Sequence, residues 1–189
     1  MSIQFQFHPE KAIEATGTFL KLHGQPMNYL GLLKMLYMAD RLALQRIEQP
    51  ITGDHYVAMD YGPVLGGVYD LIKGQPVDQA LPRWSDFICT QNNKFVSLIN
   101  DPGNEDLCEE EEEIIQEVYK SFGHLDPFDV AGWTHTLPEW TNPHGCLIPI
   151  SVEDVLRNIG KTNEEIQQIQ REVIREAYLD RVLHDQHHY

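Results

Sequence analysis

Apolar residues recur at helical spacing along most of the chain and predict a mostly helical fold. A first amphipathic helix is predicted over residues 9–23, bounded by Pro9 and Gly24. Its predicted inward residues are Ala12, Ile13, Phe19 and Leu20. A second helix, over residues 29–46, has Asn28 as its cap and apolar residues on more than one side. This second helix is therefore predicted to be buried at the centre of the fold.

The middle of the chain combines short extended runs with one helix. Residues 55–59 are predicted to be a short extended run, which leads to Tyr61, Gly62 and Pro63. Proline suits a first helical position and glycine follows a last turn, so Pro63 and Gly74 predict a third helix over residues 64–73. A β-hairpin is predicted from strands at residues 84–91 and 94–100 joined by Asn92 and Asn93, since asparagine tolerates positive φ.

Helical patterns dominate the second half of the chain. Four helices are predicted, at residues 105–122, 126–136, 152–159 and 163–183. Ser151 with Asp154, and Thr162 with Glu165, resemble capping boxes at the last two helices. The final helix is predicted to bury a stripe of Ile166, Ile169, Val173 and Ala177. The expected architecture is one compact α-rich α+β domain over residues 1–189, with six or seven helices and a small β-hairpin.

Composition places the chain among ordinary folded proteins. Its 189 residues are 42% hydrophobic, which suffices for a core of ordinary size. No apolar stretch is long enough to span a membrane, and the first residues lack the basic and apolar regions of a signal peptide. The three cysteines are odd in number and widely spaced, which argues against a disulfide framework. We therefore expect a cytoplasmic protein that does not associate with membranes.

Negative charge is concentrated in one part of the sequence. Of the formal net charge of −15, residues 101–150 contribute twelve acidic residues against one basic residue, Lys120. Such a surface repels phosphates, so direct nucleic-acid binding is not expected. The acidic run contains Glu109, Glu110, Glu111, Glu112 and Glu113. It is explained either as a solvated helix start, where acids favour the helix dipole, or as a docking face for a basic partner.

No residue pattern carries an enzyme or metal signature. A Cys146–His135 pair lacks the local sequence that accompanies catalytic cysteines. His184 and His188 have the i, i+4 spacing of metal ligands, but they lie near the end of a predicted helix, where no structural metal site is expected. We therefore predict no catalytic residues, no metal and no cofactor.

Ionisable residues interrupt the apolar second helix. Lys34, Tyr37 and Arg41 follow i, i+3, i+7 spacing and share one side, with Asp40 beside them. They form either an internal network of ion pairs and hydrogen bonds or a cleft that meets a partner or ligand. Further on, Trp133, His135 and Trp140 lie close together in sequence. They are most simply explained as aromatic residues that close the core.

These segments together resemble the Panacea antitoxin domain, also described as SocA-like and as phage-associated proteins. The resemblance covers about residues 12–159 and leaves the predicted final helix, residues 163–183, as an addition. Its motif residues here are Lys34, Tyr37, Asp40 and Arg41 in the second helix, Tyr61, Gly62 and Pro63 after the extended run, and His135 and Trp140. These motifs occur in the same order as in the family.

The resemblance implies an antitoxin that neutralises a toxin encoded beside it by direct protein contact. An alternative is a proteolytic adaptor that delivers the toxin to a protease. A third hypothesis is an enzyme that uses a polar cleft around Lys34, Asp40 and His135. Because the glutamate run and the final helix lie outside the shared motifs, they are candidates for choosing the toxin, and the acidic charge predicts a partner with a basic surface.

Overall fold

The computed structural model describes residues 2–24 and 26–185, with side chains through Leu183. Within these residues it contains eight helices: α1 (Pro9–His23), α2 (Tyr29–Ile47), α3 (Gly66–Ile72), α4 (Ala80–Phe87), α5 (Glu109–Phe122), α6 (Pro127–Thr134), α7 (Val152–Asn158) and α8 (Asn163–Asp185). Its strands are β1 (Met27–Asn28), β2 (Tyr56–Met59), β3 (Gly62–Leu65), β4 (Ile88–Gln91), β5 (Phe95–Leu98) and β6 (Ile148–Ile150). The predicted α-rich α+β class is confirmed.

Helix α2 lies at the centre of the core, as its apolar circumference predicts. Twelve of its residues are buried, and it packs against α5, α6 and β3 as well as α1. The Asn28 side chain accepts a hydrogen bond of 2.9 Å from the Leu30 backbone N–H, which confirms the predicted cap. The groups that α2 carries are therefore enclosed by elements from both halves of the chain.

Two small antiparallel sheets flank the helices. In one sheet the strand order is β1-β5-β4, and in the other it is β3-β2-β6. The β4–β5 hairpin turns at Asn92 and Asn93, whose φ angles of 52° and 51° confirm the predicted positive φ, but the loop has three residues rather than two because Gln91 pairs with Phe95 and Lys94 lies outside the strands. The chain thus forms more strands than the extended run and the hairpin that the sequence predicts, because β1 and β6 are short segments that pair only with distant partners.

The predicted third helix begins later than Pro63 and Gly74 indicate. Pro63 lies in β3 opposite Ala58, and α3 starts only at Gly66. The reason is a distant carboxylate: Asp54 accepts hydrogen bonds from the backbone N–H groups of Gly67 and Val68, at 3.0 and 2.8 Å. The role of Pro63 as a first helical residue was therefore wrong, because pairing with β2 extends the chain there.

Two further predicted boundaries are wrong. The segment from Trp84 to Phe87 is helical rather than extended, since Ala80 and Trp84, four residues apart, are both buried on one side of α4, and the strand begins only at Ile88. Helix α5 starts at Glu109 rather than at residue 105. The preceding segment is held by Glu14, whose carboxylate accepts hydrogen bonds from the backbone N–H groups of Asp106 and Leu107.

Helix α8 follows its predicted range, but only its first half is buried. Thr162 and Glu165 form the predicted capping box, with hydrogen bonds in both directions. Ile166 and Ile169 are buried and Val173 is half-buried, whereas Ala177 is exposed, contrary to the predicted stripe. The apolar pattern continues past the surface that α8 packs against, so periodicity alone overestimates its burial.

None of the helices in residues 2–24 and 26–185 combines the length and apolar character that a membrane-spanning helix needs.

Candidate functional site

The four motif residues of α2, Lys34, Tyr37, Asp40 and Arg41, are divided among three sets of contacts instead of forming one cleft. Lys34, Tyr37 and Asp40 are fully buried, and Arg41 is half-buried. Tyr37 and Arg41 both donate hydrogen bonds to Glu139. Asp40 accepts one from Thr52 in the loop before β2, and Lys34 donates one to the Pro63 carbonyl. The alternative of an enzymatic cleft built on Lys34, Asp40 and His135 therefore lacks the exposed side chains it would need at Lys34 and Asp40.

Glu139 joins two of these residues to the segment after α6. Its Oε1 accepts hydrogen bonds from the Tyr37 hydroxyl at 2.9 Å and from Arg41 Nε at 2.7 Å. The Glu139 side chain is fully buried and that of Arg41 is 16% exposed. Burial, with Glu139 nearby, raises the pKa of the Tyr37 hydroxyl well above its usual range, so Tyr37 stays protonated and donates. This cluster fixes the segment after α6 onto α2.

Sequence reasoning missed Glu139, which was counted only among the acids of residues 101–150. The available signal was that it is the only acidic residue between Asp129 and the end of the aromatic segment at Trp140. A lone acid in such a segment is expected to have a cationic partner when the segment is buried. Arg41, half-buried on α2, is that partner in the fold.

Asp40 holds the loop that precedes β2. Its carboxylate accepts hydrogen bonds from the Thr52 backbone N–H at 2.9 Å and the Thr52 hydroxyl at 2.6 Å, and from the Tyr56 hydroxyl at 3.4 Å. Burial raises the pKa of Asp40 from 3.8 to about 7, against the effect of the Thr52 hydrogen bonds. Through these buried hydrogen bonds Asp40 holds α2 against the loop and the β2 strand.

Lys34 explains the Tyr61–Gly62–Pro63 motif. Its ammonium donates a 2.9 Å hydrogen bond to the Pro63 carbonyl, and burial lowers the pKa of Lys34 to about 7. Gly62 has a φ of 98°, and a Cβ there would lie 2.3 Å from the Thr134 hydroxyl and 3.3 Å from Lys34 Nζ. Glycine is thus required both by the backbone conformation and by the close approach of α2 and α6. Tyr61, by contrast, is 58% exposed.

His135 and Trp140 form a stacked pair that closes the β2–β3 turn. Their rings are 4.0 Å apart and 9° from parallel, and Trp140 Nε1 donates a 2.9 Å hydrogen bond to the Met59 carbonyl. His135 Nε2 is buried and has no hydrogen-bond partner among the described residues. His135 and Trp140 therefore close the core, as predicted, but the prediction was wrong for Trp133, which is 41% exposed because it lies on the outward side of α6.

The run of glutamates does not form one continuous face. Glu109, Glu110 and Glu113 are exposed, whereas Glu111 is buried and bonded to Lys11 Nζ at 2.7 Å and to the Cys108 backbone N–H at 2.9 Å. The predicted acidic docking face therefore loses Glu111, which serves instead as the capping residue of α5.

The other four glutamates of the run differ in their exposure. Glu112 is half-buried and accepts a hydrogen bond from the Asn104 side chain. We use the term "α5 acidic start" for the three exposed glutamates, Glu109, Glu110 and Glu113.

In residues 2–24 and 26–183 no group of three or more histidine, cysteine, aspartate or glutamate side chains is arranged to hold a metal ion. The side chains of His184 and His188 lie outside the described residues.

The pKa values of Asp40 and Lys34 predict a minimum of stability near pH 7. From pH 4 to 7 the folded chain holds a proton on Asp40 that the unfolded chain has lost, so stability falls as pH rises. From pH 7 to 10 the unfolded chain holds a proton that folded Lys34 has lost, so stability rises with pH. Each group contributes about 2 kcal/mol over two pH units.

The check is denaturant unfolding at pH 5, 7 and 9 of the parent and two variants. Asp40→Asn should remove the fall between pH 5 and 7, and Lys34→Met should remove the rise between pH 7 and 9. Differences between parent and variant isolate each group from the other titrating residues. If both variants show the pH profile of the parent, the folded pKa values of Asp40 and Lys34 lie near their ordinary ranges.

Comparison with known proteins identifies one family. The family model described as "Antitoxin SocA-like, Panacea domain" matches residues 32–141, more than half of the chain. The match begins within α2 and ends just after Trp140, so it includes the Tyr37–Arg41–Glu139 cluster, Asp40, Lys34 and the stacked His135–Trp140 pair. No curated protein and no solved structure matches the chain.

Proposed function

Because the chain belongs to the antitoxin SocA-like, Panacea domain family, we propose that it neutralises the toxin of a neighbouring gene by binding that toxin directly. The observation that carries the proposal is the match itself, which spans most of α2 and the elements α5, α6 and β3 that pack against it. The family description supports an antitoxin role and therefore a non-enzymatic one, with a toxin as partner.

The contacts of the motif residues support a binding protein with a rigid frame. Lys34, Asp40 and Glu139 are buried and hydrogen-bonded within the chain, so they hold segments together. What remains for a partner is the exposed surface, which is rich in carboxylates. We therefore propose that the shared motifs keep the fold, and that the toxin contacts exposed residues through a basic surface of its own.

The free cysteines fit a protein that acts in a reducing compartment. Cys89, Cys108 and Cys146 are all free thiols. Disulfides form and persist mainly in oxidising compartments. We accordingly propose that the chain forms one domain and acts in the cytoplasm, where a toxin encoded beside it would also be made.

Co-expression with the neighbouring reading frame tests the proposal. The toxin alone should arrest growth, growth should recover when this chain is also expressed, and the two proteins should co-purify. In a purified assay of the toxin's activity, the chain alone should inhibit, which separates direct neutralisation from delivery to a protease. Recovery of growth only in cells that retain a protease, with the toxin level falling, would favour the adaptor. Absence of both recovery and binding would contradict the proposal.

The α5 acidic start is expected to accelerate association with the toxin. Replacing Glu109, Glu110 and Glu113 by glutamine should lower the association rate constant by about tenfold at low salt, because long-range attraction steers a basic partner. The free energy of unfolding should change by less than about 0.5 kcal/mol, since these side chains are exposed. The dissociation rate constant should stay nearly constant.

A charge-matched variant controls for total charge. Asp78→Asn, Asp86→Asn and Glu164→Gln remove three exposed acids on other segments and should change the association rate constant much less. Raising the salt concentration should reduce the difference between parent and glutamine variant, since screening shortens to roughly 8 Å near physiological ionic strength. Association that responds neither to the glutamine variant nor to salt would remove the α5 acidic start from the mechanism.

A further inference from the structure

Helix α6 turns an unusual set of residues towards solvent. Val130, Ala131 and Thr134 are buried against α2, while the opposite side carries Phe128, 61% exposed, and Trp133, 41% exposed. We call this outward side, made of Phe128, Asp129, Gly132 and Trp133, the α6 face. Two large aromatic side chains in solvent on a helix of eight residues leave apolar surface that the fold does not use.

Both aromatic residues are held in place by neighbours outside α6. Phe128 contacts Tyr61 edge-to-face, with ring centroids 5.9 Å apart, and Tyr61 is itself exposed. Trp133 contacts Phe122 at the end of α5, with ring centroids 4.8 Å apart. The exposed rings are therefore positioned by contacts on each flank of the helix, as in a surface arranged for contact.

Gly132, at the centre of the α6 face, is required neither by its backbone conformation nor by close packing. All 13 glycines lie in the described residues, and each of the others either has positive φ or would bring a Cβ within 4 Å of a neighbour. Gly132 has neither property, since a Cβ there would meet open space. Glycine inside a helix is nevertheless about 1 kcal/mol less favourable than alanine. A bare backbone between two aromatic rings allows close approach of another chain.

A groove beside Trp133 can receive an anchoring side chain. It has a volume of about 200 Å³ and lies between α2 and α5. Five of its nine lining residues are apolar, Met38, Leu42, Val118, Phe122 and Trp133, and the polar ones include Arg41 and Glu117. A groove of this size and lining suits one aliphatic or aromatic side chain of a partner, and such anchors in apolar pockets dominate many protein interfaces.

The charge around the α6 face indicates the chemistry of that partner. Asp60, Asp126 and Asp129 are exposed beside the aromatic residues. Asp126 accepts its hydrogen bond from the Phe128 backbone N–H and Asp60 from the Gly145 backbone N–H. Within the described residues, no lysine or arginine forms an ion pair with these three acids. Their negative charge is therefore available to lysine or arginine side chains of a bound chain.

We infer that the α6 face holds the toxin, and that the toxin segment seated on it is amphipathic and basic. An apolar side chain of that segment enters the groove beside Trp133, its backbone crosses Gly132, and its basic side chains reach Asp126 and Asp129. The inference rests on the proposed antitoxin function. It assigns contact to the α6 face and long-range attraction to the α5 acidic start, so the two surfaces should affect different rate constants.

The test measures dissociation of the purified toxin, the product of the adjacent gene, from variants of the full chain. Gly132→Gln fills the open space at the centre of the α6 face and should raise the dissociation rate constant at least tenfold, with the midpoint of denaturant unfolding unchanged or higher. Gly132→Ala should have a smaller effect in the same direction. Ser85→Gln, at an exposed position of α4, is the matched control and should dissociate like the parent.

Aromatic truncations complete the test. Phe128→Ala and Trp133→Ala should each raise the dissociation rate constant at least tenfold, whereas Tyr178→Ala, which removes a 63% exposed ring from α8, should not. Acceleration by Tyr178→Ala alone would place the contact on α8 and overturn the inference. Parental dissociation of all four α6 variants would overturn it while the proposed function stands. A parent chain that does not bind the toxin would overturn both.

Discussion

Glu139→Gln is expected to lower the free energy of unfolding by about 3 kcal/mol. The substitution keeps the shape of the side chain but removes its charge, which leaves Arg41 without its carboxylate and weakens the acceptor for Tyr37. Breaking a buried ion pair from one side costs about 3–5 kcal/mol. The lower end applies because the Arg41 side chain is 16% exposed and keeps some contact with water.

Denaturant unfolding of two further variants makes this measurement specific. Glu117→Gln removes the partner of Arg46 in a pair whose side chains are both exposed, and should cost less than about 1 kcal/mol. Adding Arg41→Met to Glu139→Gln should recover part of the loss, since the unpaired cation is then gone. Equal losses for Glu139→Gln and Glu117→Gln would show that the Glu139 pair is not effectively buried.

Leu36→Ala should lower the free energy of unfolding by about 2–5 kcal/mol. Leu36 is fully buried in α2, which packs against α1, α5, α6 and β3, so the lost methyl groups leave a cavity that several elements would have to move to fill. Leu179→Ala, on the exposed part of α8, removes the same atoms and should cost less than about 0.5 kcal/mol.

The midpoint and slope of the denaturant transition check this prediction. The midpoint of Leu36→Ala should fall while its slope stays that of the parent, because the surface exposed on unfolding hardly changes. A transition of Leu36→Ala that coincides with the parent's would mean that α2 is not the centre of the core. The same variant should lose neutralisation of the toxin only to the extent that it is unfolded.

The central elements could be predicted from the sequence because their signals are local. The bounds of α1 follow from Pro9 and Gly24, and the cap of α2 follows from Asn28, two residues from the N–H that it accepts. The turn at Asn92 and Asn93 likewise depends on the φ preference of those residues alone. In each case the deciding feature involves residues within a few positions of one another, so it can be predicted from the local sequence.

The errors arise where a distant group decides the local structure. Helix α3 starts at Gly66 because Asp54 accepts hydrogen bonds from the N–H groups of Gly67 and Val68, and α5 starts late because Glu14 holds residues more than 90 positions away. The ionisable residues of α2 were predicted as a set, but their partners could not be. Glu139 lies about 100 positions from Tyr37 and Arg41, so only the fold brings these charges together.

The sequence by itself determined the helical class, the buried α2 and the family, because periodicity, caps and motif order are properties of neighbouring residues. Only the tertiary structure decided which motif residues are available to a partner. Lys34 is enclosed by β3 and Asp40 by the loop before β2, while Phe128 and Trp133, which are as apolar as core residues, are exposed on α6. Burial depends on which elements pack over a side chain, and that packing is set by contacts across the whole chain.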